Sequence, residues 1–182
     1  MSLELLGGRI LAPWFGSSIY VWGSIITVFM LSLSVGYLLG GWLSLHSPSL
    51  AKFGCIFLIA AAILVPVVYL AEPVMTWVFS KVEDPRYGSL AASLALFVAP
   101  TVVLGAISPY SVRLLVRRKE EAGKVAGTLY FVSTLGSALG TLATSFYFVL
   151  WFEMDTIVGV LAGTLLALGA LGVGCRRLDR DA

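Results

Sequence analysis

Charged side chains interrupt this chain at long intervals, and the stretches between them are apolar. Between Arg9 and His46 the apolar run is broken only by Pro13 and Gly16, which predicts a spanning segment from near Ser17 to near Leu45. A second runs from Phe53 to Trp77, with Pro66 inside it and Glu72 near its end. Three more lie between Arg86 and Arg113, between Lys124 and Glu153, and between Asp155 and Arg176. Each is about the 20 residues a helix needs to cross the hydrocarbon core with its backbone hydrogen bonds satisfied internally. The pattern predicts an all-α integral membrane protein, a single transmembrane domain over residues 1–182 with five full transmembrane helices. Residues 2–12 add a shorter element. As a helix they reach about 16 Å, half a bilayer, before an outer turn at Pro13, so they read as an N-terminal half-span. The opening "MSLELLGGRILAPWFG" has neither the n-region nor the h-region of a cleavable signal peptide.

Composition agrees. The 182 residues are 59% hydrophobic and only 12% charged, about half the charge of an ordinary soluble domain. Charge then sets an orientation. With five spans, Lys52, Arg113, Arg117, Arg118, Lys119, Lys124, Arg176, Arg177 and Arg180 fall on one side, whereas the other side has Lys81 and Arg86 offset by Glu83, Asp84, Glu153 and Asp155. The positive-inside bias predicts a multi-pass protein of the inner (plasma) membrane with the C-terminus cytoplasmic. The basic run Arg117, Arg118, Lys119 holds topology and meets anionic lipid, with docking of an acidic partner as the second reading. The net charge of +2 is a topology signal and gives no reason to expect nucleic acid.

Little here could carry out chemistry. Cys55 and Cys175 fall inside apolar runs without metal-site spacing and read as free, buried thiols, and His46 has no ligand partner nearby. No phosphate loop, dinucleotide fingerprint or nucleophile elbow is present. The expectation is no catalytic residue, no metal and no cofactor.

The most regular polar feature is a pattern of small residues. Gly136 and Gly140 stand four apart, as do Ser137 and Thr141, and "GYLLGG" repeats the spacing at Gly36 and Gly40. In lipid, where apolar surface gives little drive to associate, small residues let helix backbones approach closely. These positions are expected to pack helices, either within one bundle or between two copies.

Four stretches, "ELLGGRILAPWFGSSIYVWGSI", "GYLLGGWLS", "SPYSVRLL" and "AGTLYFVSTLGSALGTLATSFYFV", carry a resemblance. In order and in charge position they resemble the membrane region of the fused transporter-like (major-facilitator-like)/spermidine synthase family. The resemblance covers nearly the whole chain. It implies a fold similar to half of a major-facilitator transporter, beginning inside the family's first span. The family's soluble aminopropyltransferase-like domain is expected to come, if at all, from a separate protein, so this chain alone is expected not to be an enzyme.

Charge within the bilayer is costly and usually faces a partner or a cavity. Glu4 and Arg9 stand five apart, about 140° around a helix, so each is expected to seek a partner elsewhere. Given the resemblance, Glu4 would meet a cationic amine while Arg9 holds a neighbouring carboxylate or backbone carbonyl; the alternative is that both snorkel to water. Glu72 beside Pro73 reads either as an acid on a kinked helix lining a wet cavity or, favoured, as a helix end at the outer surface. Trp14, Trp22 and Tyr130 complete the substrate-binding candidates, as aromatic walls for a cation or as a lipid-interface belt.

The sequence thus reads as a membrane subunit that moves or channels a polyamine-like cation or related small metabolite, as a homodimer or beside a soluble synthase-like enzyme at the cytoplasmic face. The alternative is a non-transporting anchor for a separate aminopropyltransferase-like or methyltransferase-like enzyme.

Overall fold

The computed structural model describes residues 1–116 and 118–175. Arg117 and the cluster Arg176, Arg177 and Arg180, which the charge pattern puts at the cytoplasmic face, lie outside the described residues. The described residues are helical with no strand: α1 (Ser2–Phe15), α2 (Ile19–Leu43), α3 (Leu50–Lys81), α4 (Pro85–Leu115), α5 (Ala122–Ala143), α6 (Val149–Trp151) and α7 (Met154–Gly174). A π-helical segment, Thr144–Phe148, joins α5 to α6, so Lys119–Trp151 runs as one rod of 33 residues. Five helices are long and apolar enough to cross a membrane: α2, α3, α4, this rod and α7.

Local signals explain where the helices start. Asp84 caps α4 by accepting from the Arg86 amide at 2.9 Å, and Pro85 occupies the first turn, where no amide partner is needed. Ser49 caps α3 by accepting from the Lys52 amide at 3.3 Å, while the Lys52 ammonium closes the preceding turn on the His46 and Ser47 carbonyls. Gly16, at φ 75°, takes the left-handed conformation that turns α1 into α2.

Two expectations fail. The helix does not end at Glu72: α3 continues to Lys81 through both Pro66 and Pro73. A proline removes one backbone bond, and α3 is carried past Pro73 by Met75 and Val78, each 1% exposed in the core. Cys55 and Cys175 are free, but both lie on the exterior of the bundle instead of being buried.

The core is lopsided along the bundle axis. α1 enters among the other helices as a plug, its Leu6 and Leu11 fully buried against Ile25, Val28, Phe97 and Leu64. Its first residues lie beside Leu64, Leu104 and Leu161, near the middles of α3, α4 and α7. Its last, Phe15, lies beside Gly88 and Phe79, at the helix ends. At the opposite end of the bundle a small cluster of Ile56, Ala106 and Tyr110 holds α3 on α4. There the Tyr110 hydroxyl accepts from the Ser49 amide at 3.1 Å, and the Tyr110 ring stacks on Phe53. Between these clusters, on the α5 side, the bundle is open.

Candidate functional site

The opening is a cleft of about 620 Å³. Its floor is α4: Thr101, Leu104, Gly105, Ser108 and Ser111 recur at helical spacing and face one way. α2 adds Phe29, Leu33 and Tyr37, and α1 adds Met1, Leu3 and Glu4. The roof is α5, with Leu129, Tyr130, Ser133, Thr134 and Ser137.

The cleft stays open because α5 does not settle onto the bundle; none of its residues is buried. Among the described residues, the side-chain hydrogen bonds that tie the α5 rod to α1 lie near and just beyond the C-terminal end of α5. Ser2 Oγ donates to the Gly140 carbonyl at 3.4 Å and accepts from Thr144 Oγ1 at 2.9 Å. One turn further, Arg9 Nη1 donates to the Val149 carbonyl at 3.0 Å, just past the π segment, where the helical ladder changes register.

Among the polar groups of the cleft without protein partners are a carboxyl and a buried hydroxyl. Glu4 is half-buried, lies in the first turn of α1, and has no hydrogen bond or ion pair among the described residues. Thr101 is 2% exposed and its Oγ1 is unsatisfied, although a helical Thr usually bonds back to the carbonyl one turn earlier. Ser93, two turns away on α4, is also buried without a partner but does not line the cleft.

The structure brings Glu4 and Tyr130 to this cleft and leaves the other candidates elsewhere. Arg9 turns toward the α6 backbone. Glu72 lies on the exterior of α3 in a shallow groove with Pro73, Thr76 and Trp77. Trp14 is half-buried with its ring 5.8 Å from Phe79, edge to face. Trp22 packs on α1, where a Cβ at Gly8 would come within 2.6 Å of its ring. The intramolecular cation–π contact is Arg86 over Tyr20, at 4.6 Å. Gly36 and Gly40 pack on α4; Gly136 and Ser137 face the space under α5, Gly140 meets Ser2, and Thr141 Oγ1 bonds back to the Ser137 carbonyl at 2.8 Å.

Sequence reading passed over Thr101, Ser108 and Tyr37, and saw in Ser133 only a small residue four before Ser137. Their hydroxyls are scattered over three helices at no diagnostic spacing. The one legible signal is Pro109 inside α4, which offers no N–H to the carbonyl of Gly105 one turn back.

No family model matches the chain, and neither a curated protein nor a solved structure does.

Proposed function

We propose that this chain is a membrane subunit that moves or channels a small organic cation of polyamine type, with Glu4 as the anionic group that meets it. The observation that carries this reading is an unpaired carboxylate lining an open cleft at the depth where the spans are midway. A charge there is costly unless something cationic or aqueous faces it. α1 acts as a half-span whose first turn delivers Glu4 to the bundle centre. The end bearing Lys52, Arg113, Arg118, Lys119 and Lys124 is the cytoplasmic one in this reading. A bundle resembling half of a major-facilitator transporter supplies one wall of a pathway, so transport takes two copies or a partner subunit. The test is flux of labelled putrescine and spermidine into proteoliposomes holding this chain: saturable flux lost in Glu4→Gln is expected, and flux equal to empty liposomes would sink the reading.

The second reading, an anchor for a separate synthase-like or methyltransferase-like enzyme, draws on a groove where α4 meets α5, lined by Leu115, Glu121, Lys124 and Thr128. It forbids flux, so the same experiment separates the two.

A further inference from the structure

A second opening lies where α4 ends and α5 begins. It is a groove of about 620 Å³ lined by Leu115 of α4 and, along α5 and the turn before it, by Glu121, Lys124, Thr128, Leu129 and Val132. These positions recur three and four apart and so share one helix face. The face is graded, charged at its start and apolar from Leu129 to Val132. From Lys124 to Val132 it runs about 12 Å at 1.5 Å per residue. Glu121 and Lys124 stand three residues apart, where helical neighbours have Cβ atoms about 5–6 Å from each other. Their side chains nevertheless form no ion pair, and neither has another bond among the described residues. The side chains of Arg113, Arg118 and Lys119, at the same end of the bundle, are equally without partners there, whereas the Lys52 ammonium is already held by the His46 and Ser47 carbonyls.

We propose that this groove holds one phospholipid with an aminoethyl phosphate head, its phosphate on the Lys124 ammonium, its ammonium on the Glu121 carboxylate and an acyl chain along Leu129 and Val132. A cation and an acid side by side, at the head of an apolar wall, match an amphiphile whose head carries both charges. A phosphate alone would satisfy Lys124 and leave Glu121 uncompensated. A choline head would bring a positive charge without an N–H to donate. Residues 113–124 hold Arg113, Arg117, Arg118, Lys119 and Lys124 against Glu120 and Glu121, so the phosphate is the more firmly held group. The lipid takes the place of protein contact at the start of α5, since the hydrogen bonds tying the rod to α1 lie at its far end, at Gly140, Thr144 and Val149. Leu129 and Val132 also line the cleft, so the acyl chain borders it.

The experiment is binding of phosphatidylethanolamine, phosphatidylglycerol and phosphatidylcholine of identical acyl chains to the purified chain in detergent, read by native mass spectrometry, with thermal unfolding measured in parallel. One phosphatidylethanolamine is expected to bind in preference to the other two. Lys124→Gln should lower its affinity about fivefold. Glu121→Gln should lower it about tenfold without weakening phosphatidylglycerol, so that the preference disappears. Both side chains are exposed, and the lipid-free midpoint should equal that of wild type. A preference for phosphatidylglycerol would overturn the proposal. Equal binding of all three lipids, unmoved by either substitution, would overturn it as well and leave the groove to the protein partner of the anchor reading. If Glu121→Gln lowers the lipid-free midpoint and weakens every lipid alike, the carboxylate is structural and the site falls. Soluble glycerophosphoethanolamine binding as tightly as the lipid would overturn the part given to the acyl chain. Flux through the cleft is measured separately, so none of these outcomes decides the cation reading.

Discussion

Two helices of this bundle carry glycines four apart, and they use them in opposite ways. On α2, Gly36 and Gly40 close onto α4. A Cβ at Gly36 would overlap the Val102 carbonyl and lie 2.9 Å from Gly105 Cα, and one at Gly40 would overlap the Ala106 backbone. On α5, a Cβ at Gly136 would meet nothing within 4 Å, and one at Gly140 would meet only Ser2 Oγ at 3.4 Å. The same spacing makes a seam in one place and the edge of a cleft in the other. Small residues permit close approach between membrane helices, but permission does not choose a partner. At α2 the partner is supplied by Gly105, itself small, so two flat surfaces meet. At α5 the residues across the open space are Leu64, Leu104 and Leu161, with no glycine of another helix opposite.

The largest effect is expected at the seam. Gly40→Leu, and equally Gly36→Leu, drives a side chain into α4 backbone that has no rotamer by which to yield. Overpacking of this kind costs roughly 1–3 kcal/mol, occasionally more. Thermal unfolding in detergent should show a drop of that size or failure to fold. A neutral Gly40→Leu would mean that α2 and α4 are not held as closely as described, and the contrast with α5 would collapse.

The tethers of α5 come next. Replacing Arg9 with Met removes the bond to the Val149 carbonyl, and Thr144→Val removes the donor to Ser2 Oγ. Each loses a net contribution of about 1 kcal/mol, more where the donor is charged. The distinguishing readout is local. Hydrogen exchange should rise in α5 and the π segment while the α2–α4 seam keeps its protection. Uniform loss of protection across the bundle would show that α5 is integral to the fold and not a separately attached roof.

Much of this architecture was legible in the chain. The spans follow from charge spacing alone, because burial in lipid demands long uninterrupted apolar runs whatever the helices pack against. The end of α3 was misjudged at Pro73 because proline punctuates helices in water, where a freed carbonyl finds solvent and the helix stops. Inside this bundle the packing of Met75 and Val78 continues the helix to Lys81. Glu4 and Tyr130 could be singled out as oddities of charge and aromaticity. Thr101 could not, because its distinction is a missing hydrogen bond, and absence of a partner is a property of three-dimensional surroundings. The exterior placement of Cys55 was equally hidden: an apolar run does not tell which of its faces turns inward when both sides are apolar.

The smallest stability effect is expected at Gly136, and it is the most discriminating. With open space around the position, Gly136→Leu should change folding stability by no more than about 0.5 kcal/mol, as for an exposed substitution, and the better helix propensity of Leu acts in its favour. The leucine would still project into the space beside Ser133 and Ser137, beneath α5. Amine affinity should therefore fall although the midpoint temperature does not. If Gly136→Leu instead destabilises the protein as strongly as Gly40→Leu, the face is closed against another helix in the membrane. Size-exclusion or crosslinking in nanodiscs then names that helix: a wild-type dimer that becomes a monomer in the mutant assigns it to a second copy, whereas an unchanged monomer assigns it to a rearranged α5 lying down on its own bundle.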